Sequence, residues 1–226
     1  MPETDSTSHA QGTGEPFDIN CRRCDRLAAF LDQVRERHPD YHARPVASFG
    51  DVDARLLVVG LAPGMHGANA TGRPFTGDFA GILLYQTLHE FGFATRPESI
   101  AADDGLELPG CRITNAVRCL PPENKPVTGE VDACNPYLAH ELAVLPRPGI
   151  VVALGTIAHR AVLRALGFKL SSRKFAHGAR HEIGPGLQLI DSYHCSRYNT
   201  QTRRLTADMF RDVFRLARAE LRANEA

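Results

Sequence analysis

The sequence contains six cysteines, and thiols are side chains that readily bind a metal centre. The pair Cys21-x-x-Cys24 has the spacing of a metal-binding knuckle and precedes every predicted strand, unlike the redox pair of a thioredoxin-like unit. Cys119 and Cys134 flank a proline-rich polar segment that can return the chain to the same centre. Four thiolates bind either tetrahedral zinc or an iron–sulfur cluster, and spacing does not decide between them. Ordinary buried thiols are the alternative.

A glycine-rich loop follows the first predicted strand. The glycines of Gly60-Leu-Ala-Pro-Gly64 allow backbone amides to approach an anion or a carbonyl, but neither a dinucleotide fingerprint nor a Walker A motif is present. Phe75 and Asp78 come later in this loop, just before a predicted helix. Phe75 either offers an aromatic face to a ligand or packs in the core. Asp78 is either a site carboxylate or an N-cap.

Two further loops carry polar side chains. Asn115 ends a predicted strand, where its amide can present a donor and an acceptor to one planar ligand edge or can form a turn. His194-Cys-Ser-Arg197 follows the last predicted strand. A Cys195–His194 catalytic pair is disfavoured, because neighbouring residues at a strand end point in opposite directions.

The hydrophobic periodicity predicts the elements that must position these residues. Helices are expected over residues 22–37, 79–91, 128–145 and 155–166 and from residue 207 onwards. Short apolar strands are expected over residues 55–61, 112–117, 150–154 and 187–192. This alternation predicts an α/β fold, a three-layer αβα sandwich with a mostly parallel four-stranded central sheet. Ligands bind at the carboxyl ends of such strands, so the three loops are expected to meet there.

Composition excludes several classes of protein. With 226 residues, 43% of them hydrophobic and 23% charged, the chain is not disordered, collagen-like or a coiled coil. No apolar run approaches the ~20 residues that span a bilayer. The polar, acidic N-terminus does not resemble a secretory signal. We therefore expect a cytoplasmic protein that does not contact membranes.

The balanced net charge hides an uneven distribution. Residues 1–20 hold four acidic side chains and no lysine or arginine, so residues 21–226 carry a formal charge of +4. We expect a flexible acidic N-terminal tail over residues 1–20 and one folded domain over residues 21–226. The positive charge permits phosphate binding but is too small to indicate a nucleic-acid partner by itself.

Three segments together resemble one known family. Residues 60–81, 113–126 and 194–206 are similar to motifs of the uracil-DNA glycosylase superfamily, specifically its iron–sulfur family 5, or UDGb type. The likeness extends from about residue 20 to the C-terminus. It implies an αβα sandwich, a DNA partner, and removal of uracil or other deaminated bases from DNA in base excision repair, leaving an abasic site. It also implies a [4Fe–4S] cluster held by Cys21, Cys24, Cys119 and Cys134.

The resemblance also implies roles for individual side chains. The implied catalytic residues are Asp78, His194 and Asn115. The implied substrate contacts are made by Ala62, Pro63, Gly64, Phe75, Asn115, Ser196, Arg197 and Arg203. In this scheme Phe75 stacks on a flipped base, Asn115 reads its edge, and His194 stabilises its departing charge. The implied enzyme works as a monomer associated with the nucleoid.

Two positions depart from related patterns. Ala62 stands where the sister iron–sulfur family has an acidic residue, so Asp78 is the nearest carboxylate for catalysis. Cys195 replaces the proline usual in this family, which would stiffen the loop that carries His194. Two alternative functions stay open. One is a glycosylase acting mainly on hypoxanthine, thymine or etheno-base lesions, and the other is a non-catalytic zinc module that binds nucleic acid.

Overall fold

A computed structural model describes residues 14–223 and centres on a six-stranded mixed sheet. The strands in chain order are β1 (Phe49–Gly50), β2 (Leu56–Gly60), β3 (Cys111–Asn115), β4 (Gly149–Leu154), β5 (Arg180–Gly184) and β6 (Leu187–Ser192). Their order across the sheet is β1-β3-β2-β4-β6-β5. The four inner strands are parallel, while β1 and β5 are antiparallel edges.

Within residues 14–223 the sheet is accompanied by seven α-helices. They are α1 (Asp25–Arg37), α2 (Ala68–Thr71), α3 (Phe79–Glu90), α4 (Thr128–Val144), α5 (Thr156–Ala165), α6 (Arg197–Gln201) and α7 (Ala207–Ala223). A short 3-10 helix spans Pro122–Asn124. Five of the seven helices correspond to predicted ones, whereas α2 and α6 are short helices inside the loops predicted after β2 and β6.

The sheet is buried on both faces, which explains its unbroken apolar strands. In β2, Leu56 and Val58 pack with α3 and α7, while Leu57 and Val59 pack with α4 and α5 on the other face. All four side chains are fully buried. Helices therefore form a layer on each side of the sheet, and the predicted α/β architecture is confirmed.

The predicted count of four strands is wrong, because both edge strands were missed. The four predicted strands are the inner parallel ones. β1 has two residues, too few for a periodic signal. β5 begins Arg-His-Glu and exposes much of its surface, so it contains no apolar run that would predict a strand. Edge strands lack a neighbour on one side and tolerate such polar residues.

Side chains bond to backbone amides at the N-termini of two helices. Thr206 precedes α7, and its hydroxyl accepts the Met209 amide at 3.2 Å. Thr128 is the first residue of α4. The Glu130 carboxylate accepts the amide of Val127, the residue that precedes the helix, at 2.8 Å.

Part of the predicted N-terminal tail belongs to the folded unit. Residues 1–13 lie outside the described residues. Beyond them, Phe17 contacts Tyr137 of α4 at 5.6 Å between ring centroids, and the Glu15 amide donates to the Pro136 carbonyl. The folded unit therefore begins before residue 21. Among the described helices, none is long and apolar enough to cross a membrane.

Candidate active site

A cavity of about 640 Å³ opens at the carboxyl ends of the inner strands. Ala62 follows β2, Asn115 ends β3, Gly155 follows β4, and His194 lies two residues beyond β6. Phe75 also lines the cavity. The position agrees with the general rule for ligand sites in parallel sheets. The structure thus brings the three predicted loops together around one space.

The floor of the cavity combines an aromatic ring with an unpaired amide. Asn115 is 3% exposed, and its Oδ1 atom has no hydrogen-bond partner among the residues that the structure describes. A buried polar atom without a partner is costly, so it marks a place where a ligand donor would be stabilising. Gly60 makes this arrangement possible. A Cβ atom there would lie 2.3 Å from Asn115 Oδ1 and 2.6 Å from Phe75 Cζ.

Phe75 is held in a conformation that a non-glycine residue rarely adopts. Its φ angle is +58°, in the left-handed region. Gly81 packs so closely against the Phe75 backbone that a Cβ at Gly81 would lie 1.8 Å from the Phe75 carbonyl oxygen. The Tyr85 hydroxyl donates to the neighbouring Pro74 carbonyl at 2.7 Å. Surrounding contacts therefore maintain the strained loop that places the ring in the cavity.

Arg73 anchors the same loop from inside the protein. It is 4% exposed, and its guanidinium donates to Asp104 Oδ2 and to Ser99 Oγ, both at 2.6 Å. The guanidinium also donates through Nε to Thr76 Oγ1 at 2.9 Å. Burial opposes ionisation of Asp104, but the bonds from Arg73 and from backbone amides together lower the pKa of this carboxyl group.

Asp78 directs its carboxylate into the first loop rather than onto its own helix. It occupies the N-cap position of α3 but makes no side-chain capping bond. Its Oδ2 atom accepts the Ala68 amide at 3.2 Å, and a Cβ at Gly64 or Gly67 would lie within 2.4 Å of Oδ1. Burial raises the pKa of Asp78, while bonds from the Ala68 and Gly64 amides partly oppose that shift. Simple helix capping, the alternative considered from the sequence, does not describe this side chain.

His194 lies beside Phe75 in the cavity. The two ring centroids are 6.1 Å apart with planes 26° from parallel. The imidazole is half-buried, and desolvation lowers the pKa of His194 to about 4. The ring is therefore neutral at physiological pH, so it can donate one hydrogen bond without carrying a positive charge.

The residues after His194 fix its backbone. The Asn199 side chain donates to the His194 carbonyl at 2.8 Å, and Ser196 caps α6 by accepting the Asn199 amide. The buried Cys195 thiol donates to the Ala80 carbonyl at 3.3 Å. Burial raises the pKa of Cys195 to about 12, so the thiol is not a nucleophile. These contacts hold the loop without the proline usual at this position.

Cationic and aromatic side chains form the rim of the cavity. The Arg197 guanidinium lies 4.9 Å from the Phe79 ring centroid, and the Arg204 guanidinium lies 4.8 Å from that of Tyr193. Tyr198 is 71% exposed at the rim.

Two predicted contact residues do not line the cavity. Pro63 is buried nearby and Arg203 is exposed, while the adjacent Arg204 does line the space. Asn124 and Thr156 also line the cavity and were missed. Asn124 stands in a proline-rich turn and has a φ of +57°. Asn124 could have been identified from the sequence, because asparagine favours such turns and this one lies within the second motif, residues 113–126.

The four predicted ligand cysteines lie near one another beside α1 and α4. Burial is the main cause of the raised pKa of the Cys119 thiol. Cys134, Cys21 and Cys24 lie close enough that negative charge on any of them would raise this pKa further. Cys119 and Cys24 also pack against the core cluster formed by α4 and α5. A bound metal centre would offset the negative charge of the four thiolates and would therefore stabilise their deprotonated form.

The surroundings of these thiols are polar and partly unpaired. Arg118 is 1% exposed, and its amide donates to Cys134 Sγ at 3.3 Å. Among residues 14–223 its Nε atom is buried without a hydrogen-bond partner, and the buried Tyr137 hydroxyl lies beside Cys21. Burial raises the pKa of Tyr137, and the nearby Cys21 adds to that effect. Donors next to thiolates suit an anionic sulfur-rich group.

Cys111 and Cys195 lie apart from this group. Both are fully buried in the core cluster formed with α3 and α7, on the opposite face of the sheet from the cluster with α4 and α5. Burial raises the pKa of the Cys111 thiol, which keeps it protonated and inert. These two thiols are therefore separated by the sheet from the four predicted ligand cysteines.

Comparison with known proteins agrees with this geometry. The family model described as the uracil DNA glycosylase superfamily matches residues 47–218. A type-5 uracil-DNA glycosylase of Thermus thermophilus is 50% identical over 198 residues, covering 85% of this chain and 90% of the relative. One of Pyrobaculum aerophilum is 42% identical and covers 89% of each chain. A type-4 uracil-DNA glycosylase of Pyrobaculum aerophilum is 32% identical over 68% of this chain and 72% of the relative. The chain belongs to the uracil-DNA glycosylase superfamily and to its type-5 family.

Proposed function

We propose that this protein is a monofunctional DNA glycosylase that removes uracil, and other deaminated bases, from DNA during base excision repair. The observation that carries the proposal is the convergence of Phe75, Asn115 and His194 on one cavity. Similarity to five type-5 uracil-DNA glycosylases, among them the two described above, supports the same reaction. The reaction hydrolyses the N-glycosidic bond and leaves an abasic site.

The base must leave the duplex before it can reach this cavity. Rotation out of the stack costs a few kcal/mol, and stacking on an aromatic ring returns ~1–3 kcal/mol per base. Phe75 supplies that ring. The unpaired Oδ1 of Asn115 accepts a hydrogen bond from an imide N–H of the pyrimidine, and its amide can donate to a base carbonyl. Tyr198, exposed at the rim, fills space left in the duplex.

Bond cleavage places negative charge on the departing base. A neutral His194 stabilises that charge by donating a hydrogen bond to a base oxygen, and no proton transfer is required. The backbone amides at Ala62, Pro63 and Gly64 border the same region, although proline contributes no donor. Since the Gly64 amide already bonds to Asp78, the amide of this segment that is proposed to meet the base is that of Ala62.

Cleavage also leaves positive charge on the sugar. Asp78 supplies a carboxylate to the lining of the cavity. Ala62 also lines the cavity but carries no acidic group. In its ionised form it offsets the sugar cation and orients the water that attacks it. The Ala68 amide holds its Oδ2 atom and leaves the carboxylate facing the cavity.

Ser196, Arg197 and Arg203 bind phosphates that flank the flipped nucleotide.

The four clustered cysteines are proposed to hold a [4Fe–4S] cluster. In a zinc site with Zn–S bonds of ~2.3 Å the sulfurs lie about 3.8 Å apart. Among residues 14–223, no three of these sulfurs come within 4.8 Å of one another, so their spacing suits a larger cluster better than zinc. Hydrolysis moves no electrons, and the bound cluster would cross-link α1, the loop after β3 and α4.

A panel of damaged duplexes tests the proposed function. Anaerobically purified protein is incubated in excess with duplexes carrying uracil, hypoxanthine, thymine opposite guanine, or an etheno adduct, and released base and abasic sites are counted. We expect release of uracil. Cleavage of another lesion but not uracil would favour the alternative glycosylase. Failure on every duplex, with colourless protein containing stoichiometric zinc, would favour the non-catalytic module.

A further inference from the structure

A second groove of about 410 Å³ adjoins the cavity. The two spaces share Thr156, the first residue of α5. Among the described residues, the lining of this groove includes three cations, Arg160, Arg173 and Lys174, together with the Ser171 hydroxyl, and no carboxylate. The Tyr193 ring also connects the two spaces. It contacts the Phe175 ring, which lines the groove, and the Arg204 guanidinium at the rim of the cavity. A continuous surface thus joins the groove to the cavity.

Two of these cations are not neutralised by the protein. Within the part of the chain that the structure describes, no carboxylate oxygen lies within 4.0 Å of Arg160 or Lys174, and both side chains are exposed. Arg173 is half-buried, and its guanidinium donates to the Ser172 and Glu182 carbonyls. Neighbouring unpaired cations repel one another and attract an anion, so they favour a ligand with repeated negative charge.

The groove is fixed in place by a buried network. Asp191 is fully buried, and its carboxylate contacts His159 Nδ1 at 2.7 Å and His181 Nε2 at 3.1 Å. His159 Nε2 donates to the Arg173 carbonyl at 3.0 Å. The Asp191 backbone also bonds to Gly178 and Ala179. The segment that carries Arg173 and Lys174 is therefore tied to β6 and α5, the elements that border the cavity.

We propose that this groove binds the phosphodiester backbone of the same DNA strand on one flank of the flipped nucleotide. The inference rests on the proposed function and extends it to a second anchoring surface. Arg197 and Arg204 line the cavity, and Arg160, Arg173 and Lys174 line the groove that adjoins it at Thr156. A second anchor on the same strand stabilises the strained backbone from which a nucleotide has been rotated.

Charge reversal tests the groove directly. The double variant R160E/K174E is compared with R215E/R222E, which reverses two exposed arginines on the C-terminal half of α7. Duplex binding is measured by fluorescence anisotropy over a range of salt concentrations, and single-turnover uracil release is measured at saturating enzyme. Each lost phosphate contact lowers the salt slope by about 0.9. We expect the groove variant to lose about 1.8 in slope and to bind at least about tenfold more weakly at low salt.

R160E/K174E should also release uracil more slowly at saturating enzyme, because the groove is proposed to stabilise the strand from which the nucleotide is rotated. R215E/R222E should keep the wild-type slope. The neutral variant R160Q/K174Q adds no repulsion, and it should show the same loss of slope. A wild-type slope in both groove variants would overturn the groove proposal while leaving the glycosylase intact. Absence of uracil release by the wild-type protein would instead overturn the proposed function.

Discussion

At the scale of single residues, the site depends on shifts in ionisation that follow from burial. Desolvation raises the pKa of Asp78 and lowers the pKa of His194 to about 4. Both shifts disfavour the charged form of each group. Over most of the physiological range His194 is neutral, while Asp78 ionises at a higher pH than an ordinary aspartate.

The pH profile of the single-turnover rate should show this pattern. The proposed chemistry needs the carboxylate form of Asp78, so the rate should rise with pH through the elevated pKa of that group. His194 should add no further step near pH 6.5, the usual pKa of histidine, because the pKa of His194 is lowered to about 4. A fall in rate as pH rises through about 6.5 would show instead that a His194 cation does the work.

Replacing Asp78 by asparagine keeps the shape of the side chain and removes its negative charge. We expect D78N to lower single-turnover uracil release by about 10²-fold or more, the size typical of a lost acid–base or electrostatic group. Duplex binding and the visible absorbance of the protein should be unchanged. The acidic limb of the pH profile should disappear with the carboxylate. A wild-type rate in D78N would place the chemistry on another group.

Residue types and motif resemblance selected ten catalytic and substrate-contact residues, eight of which line the cavity. They could not show that Phe75 has a positive φ angle, because that conformation is maintained by distant contacts such as Gly81. They also left open whether Asp78 caps α3, and the close approach of Gly64 and Gly67 decides that point.

At the scale of elements, the loop after β2 is held by a buried ion pair. Arg73 and Asp104 have side chains 5% and 13% exposed. D104A leaves the guanidinium unpaired in the interior, which costs about 3 kcal/mol in the free energy of unfolding. We expect a Tm several degrees lower and slower uracil release, measured by thermal unfolding and single-turnover assays. D208A removes one partner of an exposed pair on α7 and should leave Tm near the wild-type value.

The stability contributed by Asp104 has a defined pH dependence. Its pKa is lower in the folded protein than the ~3.9 of an unfolded chain, so the contribution is complete above about pH 4. It is lost as pH falls below that value. The Tm difference between wild type and D104A should therefore shrink in acid. A difference that grows in acid would contradict the assigned pairing.

The two groups of cysteines should respond differently to substitution. C134S removes a proposed ligand, so we expect loss of the visible absorbance band and of bound iron. C111S alters a thiol in the core on the other face of the sheet, and the band should persist even if the protein is less stable. Retention of the band in C134S together with its loss in C111S would refute the proposed ligand set.

Elements with a strong apolar signal were the predictable ones. The inner strands are buried on both faces, so their sequences are nearly continuous apolar runs. The edge strand β5 and the five-residue helix α6 have no such signal. α6 is set instead by its Ser196 cap, and such short helices depend on tertiary contacts rather than on periodicity.

At the scale of the whole molecule, one edge of the sheet collects the functional features. The cavity lies at the carboxyl ends of the four parallel strands, and the basic groove adjoins it. The cysteine group lies where α1 meets α4 and the loop after β3. Alternating strands and helices predicted this layered arrangement, because only the C-terminal ends of parallel strands bring their loops together. The distribution of surface charge around the cavity required the structure.

The central claim is that the cavity receives a base rotated out of DNA, and a structure of the complex tests it most directly. A duplex containing 2′-fluoro-2′-deoxyuridine would resist cleavage, because fluorine destabilises positive charge on the sugar. We expect the uracil ring outside the stack, within about 4.5–7 Å of the Phe75 ring centroid and hydrogen-bonded to Asn115. A uracil that stays paired in the bound duplex, or that lies on another surface, would contradict the account.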